Sequence, residues 1–563
     1  MVIGGGGAAA RAALAARERG SEVAVLVKGR LGGSGCTPYA ASEWLAFGAA
    51  LGHADPRDSP EQHYKDILEK GAYVCDPRLA RILAYESPER LLDLESRGVR
   101  FDKTPDGRFV QRMSDGATYP RACAKGAETG REIMRVLSNQ VKELGCDVYE
   151  NTMAVDLISV RDAVYGVIAL DMELREYEVF WAKAVVMATG GAGSLFKHNV
   201  FPEGMTGDGY AMAYNAGAEL VNMEFIQIGP AILRPTKFDV GGVLWRLGPR
   251  LYNRLGEEYL RKYLPVGVTV EEVYALKSVS FPFSTRNNSM YIDIANFTEI
   301  VEGRGSESGC IYFDLTHVDP ARVEEEAGVP FNWLRSFGVD LTKSPVEIAP
   351  AVQHFNGGVH VGEWGETNLR GLFAAGECQG GQHGADRPGG DALANCQVFG
   401  FRAGHMASKM AEKTSLRKAS HRRVKNLIEK LPKPIDSQVA SKVIKEIQES
   451  MWRNVTVVRT ENGLQEALRT LSRLEAEAAE GQRGDGDVVK SLEIRNMIAV
   501  GKLVSTAAMT RKESRGTHYR RDYPQKGGDE WLRFVCLKRV DDQVTATLKD
   551  VETGESLNGD APP

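Results

Sequence analysis

A glycine turn between two short apolar segments, near residue 4, is the pattern that most constrains the fold of this chain. An apolar segment leads into four consecutive glycines, and a helical stretch and a strand-like segment, residues 22–27, follow. Gly4, Gly6 and Ala9 fit the spacing G-x-G-x-x-A: the first allows a tight turn, the second lets the backbone approach a pyrophosphate, and the third permits close helix–strand packing. The strand–turn–helix–strand context favours a dinucleotide site over a turn that binds nothing.

The second strand-like segment ends at Lys28, where nicotinamide-binding proteins carry an acid that bonds the ribose. Because Lys28 is not an acid, the ribose must be held by other groups, or the dinucleotide is not a nicotinamide cofactor. A nicotinamide dehydrogenase is therefore the least favoured alternative.

Composition narrows the class of protein further. Of 563 residues 60 are glycine, which is above the usual share of about 7%, and these glycines cluster beside apolar runs rather than in linkers. A net charge of -5 argues against a nucleic-acid-binding protein. The eight cysteines are widely spaced without a C-x-x-C pair, which argues against a disulfide framework and against a metal or iron–sulfur site in this chain.

Hydropathy predicts a soluble, cytoplasmic chain. No window of about 18 residues is apolar enough to span a membrane. The apolar N-terminal segment lacks a basic region before it, so it is interpreted as the first strand and not as a signal peptide.

Several later segments repeat the association of glycine with buried strands. Residues 32–37 form a second glycine loop, residues 184–191 a strand that runs into a glycine turn, and Gly207-Asp208-Gly209 opens an alanine-rich helix. Residues 230–345 are poorer in glycine and contain several prolines, which indicates an inserted domain, and from about residue 404 the chain becomes charged and helical. Other predicted elements are helices over 60–71, 77–94 and 129–144 and a small sheet over 148–170.

Taken together, six segments resemble the flavoprotein subunit of succinate dehydrogenase and fumarate reductase, a family with L-aspartate oxidase as a relative. They are the opening turn, Ala188-Thr189-Gly190-Gly191, Thr206-Gly207-Asp208-Gly209, Gly371-Leu372-Phe373-Ala374-Ala375-Gly376-Glu377, His383-Gly384-Ala385-Asp386-Arg387-Pro388-Gly389-Gly390-Asp391-Ala392-Leu393, and Glu513-Ser514-Arg515-Gly516-Thr517-His518-Tyr519-Arg520-Arg521-Asp522 with Trp531.

The resemblance implies an α/β fold with a Rossmann-like FAD-binding domain. That domain is expected in two parts, 1–230 and 346–405. An inserted α+β capping domain, 231–345, lies between them, and a C-terminal helical domain, 406–563, follows.

FAD is the cofactor that the resemblance implies. The residues expected to bind it are Gly4, Gly6, Gly7, Ala9, Lys28, Ser34, Thr37, Ala188, Thr189, Gly190, Gly191, Asp208, Glu377, Gly389, Asp391, Ala392 and Leu393. In the family, Glu377 bonds ribityl or ribose hydroxyls, and the helix that opens at 389–393 stabilises negative charge on the reduced ring. The alternatives are a plain surface acid for Glu377 and a helix N-cap for Asp208.

The loop Ser34-Gly35-Cys36-Thr37 matches a Ser-His-Thr loop that bonds flavin covalently in many relatives. Because the histidine is absent, FAD is expected to bind non-covalently. A bond from Cys36 to the flavin is a disfavoured alternative.

Two residues of the family's substrate site are retained. His354 matches a substrate histidine and Arg387 a carboxylate-clamping arginine, although a core histidine and a structural ion pair are the alternatives. The family's catalytic arginine stands eight residues before Glu302, at a position that is Ile294 here. Arg286 is the nearest upstream arginine, and it takes that role only if the alignment has a gap.

Two more family features are missing, so a changed substrate or proton route is expected. Gly229 replaces a substrate histidine, and residues 245–249 lack the glutamate that feeds protons. Gly229 is expected to enlarge the pocket. The candidate replacement cations are Arg234, Arg246 and Arg250. The distant relative adenylylsulfate reductase binds an oxyanion without that relay.

The favoured function is an FAD-dependent oxidoreductase that transfers hydride between flavin N5 and an anionic, carboxylate-type substrate other than plain fumarate or succinate. Its partner is expected to be an iron–sulfur subunit within a larger complex, with membrane association through partners only. Arg515, His518 and Arg520 are interpreted as a partner-docking or cofactor-bracing region, or as a charged surface. The alternatives are a stand-alone oxidase similar to L-aspartate oxidase, an enzyme similar to adenylylsulfate reductase, and a non-catalytic electron relay.

Overall fold

The computed structural model describes residues 1–39, 45–541 and 543–551. The helices are α1 (Gly7–Glu18), α2 (Pro60–Lys70), α3 (Pro77–Ser96), α4 (Thr129–Glu143), α5 (Asp208–Ala216), α6 (Gly242–Arg246), α7 (Val270–Lys277), α8 (Met290–Val301), α9 (Pro320–Arg335), α10 (Asp391–Lys413), α11 (His421–Glu429), α12 (Ser437–Val455), α13 (Glu461–Glu480) and α14 (Val488–Thr510). The strands are β1 (Val2–Ile3), β2 (Ala24–Leu26), β3 (Phe47–Gly48), β4 (Gln111–Arg112), β5 (Ala122–Cys123), β6 (Asp147–Tyr149), β7 (Thr152–Val160), β8 (Ala163–Asp171), β9 (Glu176–Trp181), β10 (Val185–Met187), β11 (Leu220–Val221), β12 (Ile226–Ile232), β13 (Phe238–Asp239), β14 (Arg250–Tyr252), β15 (Ile311–Asp314), β16 (Val346–Phe355), β17 (Gly358–His360), β18 (Leu372–Ala374), β19 (Gln379–Gly380), β20 (Arg533–Val540) and β21 (Gln543–Asp550).

A parallel sheet of order β18-β10-β1-β2-β6 forms the centre of the larger domain. Helix α1 starts at Gly7, directly after the glycine turn that follows β1, and packs closely on α10. A Cβ atom at Gly404 in α10 would lie 2.2 Å from the Ala12 carbonyl oxygen in α1. This close approach confirms the strand–turn–helix–strand unit that the sequence predicts and needs a small residue at each contact.

The inserted domain has a hydrophobic core of its own, whose members lie between Ile232 and Ile348. Its sheet has the order β13-β12-β16-β15-β14. Strands β12 and β16 are antiparallel neighbours that carry the chain into and out of this domain. A cavity is therefore bounded by the parallel sheet on one side and by the inserted domain on the other.

The predicted helices over 60–71, 77–94 and 129–144 correspond to α2, α3 and α4, and the predicted small sheet contains β7 and β8. The C-terminal part contains helices α11–α14, as expected, and also the hairpin β20–β21, which the composition did not predict. Strand β20 pairs with β11, so this hairpin extends a sheet of the larger domain.

The predicted domain borders remain predictions, although helix α10 continues across the border at 405/406. Residues 552–563 of the predicted C-terminal domain lie outside the described residues. Among the helices that the structure describes, none is both long enough and apolar enough to cross a membrane.

Candidate active site

One cavity of about 1560 Å³ brings together most of the residues that the sequence singles out. Such a volume exceeds that of an ordinary small-molecule site, about 300–1000 Å³, and leaves room for a dinucleotide and a substrate. The predicted residues that line it are Gly4, Gly6, Gly7, Lys28, Ser34, Thr37, Ala188, Thr189, Gly190, Gly191, Asp208, His354, Glu377, Arg387, Gly389, Ala392 and Leu393.

The turn after β1 has the geometry of a phosphate cradle. Gly4 has φ of +130°, and a Cβ there would lie 2.2 Å from the Ala188 carbonyl oxygen, so no other residue fits. The backbone N–H of Gly7, the first residue of α1, donates to the Thr37 hydroxyl at 3.1 Å. Ala9 lies beneath the turn and supports it by packing. The N-terminus of α1, whose cap carries no side chain, is thus open to an anion.

Lys28 and Asp208 form an ion pair at the edge of the cavity. The Lys28 Nζ lies 2.9 Å from a carboxylate oxygen of Asp208 and 2.9 Å from one of Glu493 in α14. Although burial acts to raise the pKa of Asp208, Lys28 and the Asn496 amide hold it below its ordinary value. Asp208 is the first residue of α5 and its side chain makes no capping bond, because Lys28 and Asn496 hold it instead.

Glu377 is not a surface acid, because its side chain is only 11% exposed. Its Oε1 accepts a hydrogen bond from the Phe355 N–H at 3.0 Å, and a Cβ at Gly191 would lie 2.3 Å from the same oxygen. Burial raises the pKa of Glu377 to about 7, against the opposing effects of the Phe355 N–H and Arg387. Glu377 can therefore act as acceptor or donor toward a hydroxyl near neutral pH.

His354, His383 and Arg387 place polar atoms around one end of the cavity. His354 is 5% exposed, its ring lies 5.7 Å from that of His383, and its Nδ1 lies 3.4 Å from Glu377 Oε1. Burial, reinforced by Arg387, lowers the pKa of His354 well below its usual value and that of His383 to about 3, so both rings are neutral at pH 7.

Several buried atoms in this group lack a hydrogen-bond partner among the described residues: His354 Nε2, both ring nitrogens of His383, and Arg387 Nε. Buried polar atoms are normally satisfied, so a cluster of unsatisfied ones beside a cavity indicates a ligand. Arg387 otherwise donates from Nη1 to the Pro388 carbonyl oxygen at 2.9 Å. The arrangement suits an oxyanion held by Arg387 and a neutral imidazole.

Asp391 differs from its prediction as a cofactor-binding residue. Its carboxylate is fully buried and accepts from His63 Nε2 at 3.0 Å, and it is not among the described residues that line the cavity. Its side chain holds α2 against the start of α10 and thereby positions Gly389, Gly390 and Ala392, which do line the cavity.

Arg286 also lies away from the expected place. Its Nη2 donates to Glu69 Oε1 at 3.1 Å, and it lines a neighbouring polar cleft instead of the main cavity. Of the three candidate replacement cations, Arg246 is among the described residues that line the main cavity, whereas Arg234 and Arg250 are not.

The expectation that Gly229 enlarges the pocket is wrong. A Cβ at Gly229 would lie 2.5 Å from the Gln353 Nε2 and 2.9 Å from the Phe281 ring, so these two side chains fill the space. Gly229 is buried in β12, opposite Ala351, and the described lining of the cavity includes Gln353 and Phe281 but not Gly229. Glycine here admits an aromatic ring.

The interpretation of Arg515, His518 and Arg520 as a docking face or charged surface is also wrong, because all three are buried. His518 and Arg520 surround the same buried region as Arg511, which is paired with Glu224 at 2.6 Å just before β12. The segment therefore braces the strand that carries Gln227 into the cavity wall.

Sequence reasoning missed Gln227 and Asp115, which also line the cavity. Gln227 Nε2 donates to Asp386 Oδ1 at 2.7 Å and to the Arg387 carbonyl oxygen at 2.9 Å, so it holds the loop of the predicted clamp. Asp115 lies in a loop without periodicity, and no local pattern in the sequence marks it.

Comparison with known proteins adds a family to this geometry. The family model described as "FAD binding domain" matches residues 1–393, and the model described as "Fumarate reductase flavoprotein C-term" matches residues 444–560.

Known proteins match the chain over nearly its full length. A subunit of the fumarate reductase (CoM/CoB) of Methanothermobacter marburgensis is 36% identical, with 96% of each chain covered. L-aspartate oxidase of Yersinia pestis is 30% identical, covering 93% of this chain and 96% of the relative. The solved structure of Mycobacterium smegmatis Sdh1 in complex with UQ1 has a TM-score of 0.86 at 30% identity, covering 98% of this chain and 94% of that one.

Proposed function

The chain belongs to the family of fumarate reductase and succinate dehydrogenase flavoproteins and is an FAD-dependent oxidoreductase, and from this premise we propose that its substrate is an anion that carries a carboxylate. The observation that carries the proposal is the meeting of buried Arg387 with neutral His354 at one end of the cavity. A fixed guanidinium in a site of low polarity binds a carboxylate far more strongly than it would in water.

FAD fits the residues that are present, because the glycine cradle after β1 and the start of α10 both open into the cavity. Gly4, Gly6, Gly7 and Thr37 would hold its pyrophosphate, Glu377 a hydroxyl, and the backbone at 389–393 the ring. When bound, FAD supplies the two-electron redox chemistry. The chain itself contributes binding and orientation, and the inserted domain covers the substrate end and restricts water.

We further propose that fumarate and succinate are not its preferred substrates. Ile294 is buried in α8, and Gly229 adds no polar group, so two positions that the resemblance assigns to substrate chemistry carry none here. A relative is named as a fumarate reductase, and fumarate is accordingly the first compound to test.

The test is a titration of the purified holoprotein with malonate, fumarate, succinate and L-aspartate, followed by the flavin absorbance spectrum. Arg387→Met should weaken binding of the best anion at least 100-fold, which is about the contribution of one buried charge-assisted pair. Arg261→Met is the matched control, because Arg261 is an exposed arginine of the inserted domain. Unchanged anion affinity in Arg387→Met would contradict the proposal.

The proposed electron partner is an iron–sulfur protein. The relative that matches over 96% of both chains is named as a subunit, which favours a complex over a stand-alone enzyme. Gentle native isolation should therefore yield a second chain with acid-labile sulfide. Isolation of this chain alone, together with oxygen-dependent oxidation of L-aspartate, would favour the alternative of a stand-alone oxidase, for which the 30% identity to an L-aspartate oxidase is the supporting observation.

A further inference from the structure

A second, polar cleft adjoins the substrate end of the main cavity. It has a volume of about 350 Å³, and its lining includes Asp66, Glu69, Lys70 and Arg286. Asp115, Gly116, Ala117 and Val279 line both spaces. Of these four shared residues, Asp115 is the one with an ionisable side chain, so it lies where a proton could pass between the two spaces.

Lys70 holds the carboxylate of Asp115 in this position. Its Nζ lies 2.7 Å from Asp115 Oδ2 and 2.9 Å from Asp386 Oδ2, and its side chain is 2% exposed. Gly116, with φ of +77°, makes room for Lys70, because a Cβ there would lie 2.8 Å from the Lys70 Cδ. The Lys70 ammonium therefore neutralises two carboxylates, while the Asp115 side chain keeps 14% of its surface exposed.

The loop of Asp115 is joined to the loop of the clamp arginine. The Gly389 N–H donates to the Asp115 carbonyl oxygen at 2.8 Å, two residues after Arg387. On the other side, Asp386 accepts from Gln227, which lines the main cavity. An anion held by Arg387 is thus bound beside the loop that carries Asp115.

We propose that Asp115 carries the proton that the reaction exchanges with solvent, that the polar cleft is the solvent entrance, and that Lys70 is the residue that positions Asp115. The proposal rests on the proposed function, since it assigns the proton of that same reaction. It supplies a proton route that does not use Arg286, the retained arginine nearest to the expected position.

The chemical step balances as follows in the direction of reduction. The O–H bond of the Asp115 carboxyl breaks and a C–H bond forms at the substrate carbon next to the one that receives hydride from the cofactor. The carboxylate left on Asp115 is stabilised by the Lys70 ammonium and regains a proton from water in the cleft. In the direction of oxidation each bond change runs in reverse.

The charges that face Asp115 come from several elements. Lys70 and Glu69 lie at the end of α2, Arg286 precedes α8, and Asp386 and Arg387 lie before α10. The buried pair Lys277–Asp293, from α7 and α8, also acts on this region. Cations and acids are thus nearly balanced, and removal of Lys70 alone leaves Asp115 beside an uncompensated Asp386.

The experiment compares Asp115→Asn with wild-type holoenzyme. Activity is measured with fumarate and reduced benzyl viologen, with succinate and a dye acceptor, and with L-aspartate and oxygen. Asp115→Asn should lower kcat by about 10²- to 10⁴-fold, the usual contribution of a positioned proton donor. The fall of the reduction rate with rising pH should disappear in this variant. In Lys70→Met that fall should move to higher pH, because loss of the cation favours the protonated carboxyl.

Glu69→Gln is the matched control, since its carboxylate lines the cleft but not the main cavity. It should change kcat less than 2-fold.

A binding readout covers the case in which none of the three assays gives turnover. Malonate binding, followed by flavin absorbance, should become tighter in Asp115→Asn above pH 6, because a negative charge beside the anion site has been removed.

The outcomes separate the two proposals. No anion binding by wild type contradicts the proposed function. Anion binding that depends on Arg387, together with unchanged rate, pH profile and malonate affinity in Asp115→Asn, overturns the assignment of Asp115 alone.

Discussion

At the scale of single residues, Glu377 gives a pH dependence that can be measured without substrate. Its pKa is raised from an ordinary 4.5 to about 7, first by burial. Because the ionised form is disfavoured in the folded state, the destabilisation is absent below about pH 4.5, grows as pH rises and is complete above about pH 7. The full effect is at most about 3 kcal/mol, since one pKa unit is about 1.4 kcal/mol and water in the open cavity reduces the desolvation.

Glu377→Gln removes that ionisation. The flavin-free variant should gain stability over flavin-free wild type as pH rises from 5 to 8, measured as the difference in thermal midpoint by circular dichroism. Glu480→Gln, at an exposed site, should show a flat difference. A Glu377→Gln difference that is equally flat would show that the carboxyl is not desolvated.

Sequence reasoning at this scale succeeded where backbone geometry alone decides the residue. Gly4 and Gly191 could be predicted because a Cβ at either would collide with a neighbouring atom. It failed for Gly229 and Asp391, because what fills the space beside a residue, Phe281 in one case and His63 in the other, comes from a distant part of the chain.

At the scale of elements, a buried arginine couples the C-terminal segment to β12. The Arg511 side chain is fully buried and pairs with Glu224 at 2.6 Å and Glu513 at 2.9 Å, and it also donates to backbone carbonyl oxygens of Trp531 and Arg533. Replacement of one partner in such a group leaves uncompensated buried charge, which costs about 3–5 kcal/mol.

Arg511→Met should therefore lower the midpoint of urea unfolding markedly. Arg511→Lys should rescue little, because an ammonium cannot reproduce the planar set of donors. Arg473→Met on α13 is the control: Arg473 forms exposed ion pairs, and its loss should cost no more than about 1 kcal/mol. Equal effects of Arg511→Met and Arg473→Met would contradict the bracing role.

Helices with a clear polar and apolar periodicity, such as α2, α3 and α4, were predictable to within a few residues. The hairpin β20–β21 was not, because its strands are defined by pairing with β11, more than 300 residues earlier in the chain. Nor was the burial of Arg515 predictable, because charged residues are normally exposed and only its partner Glu513 explains its position.

At the scale of the whole molecule, the cofactor cavity is bounded by more than one domain, so its occupation should stabilise all of them together. Added FAD should raise the thermal midpoint of the flavin-free protein with concentration, as expected for a ligand that binds the folded state, by about 2.7 kcal/mol of stability at 100 times the Kd.

The same flavin should be released into the supernatant by acid precipitation. Cys36 lines the cavity, but burial followed by Glu377 raises its pKa well above the ordinary value, so its thiolate is scarce. Flavin fluorescence that remains with the precipitated, denatured chain would contradict non-covalent binding.

The position of β1 in the parallel sheet has a consequence for the time course of synthesis. β1 lies between β2 and β10, and β18 completes that side of the sheet only at Ala374. At roughly 5–20 residues per second, a ribosome adds the intervening stretch of about 370 residues in on the order of 20–70 seconds. Throughout that interval the glycine turn exists without the neighbour that shapes it. The nascent chain is therefore expected to acquire its nucleotide late, and a chaperone that shields Val2 and Ile3 would act during this delay.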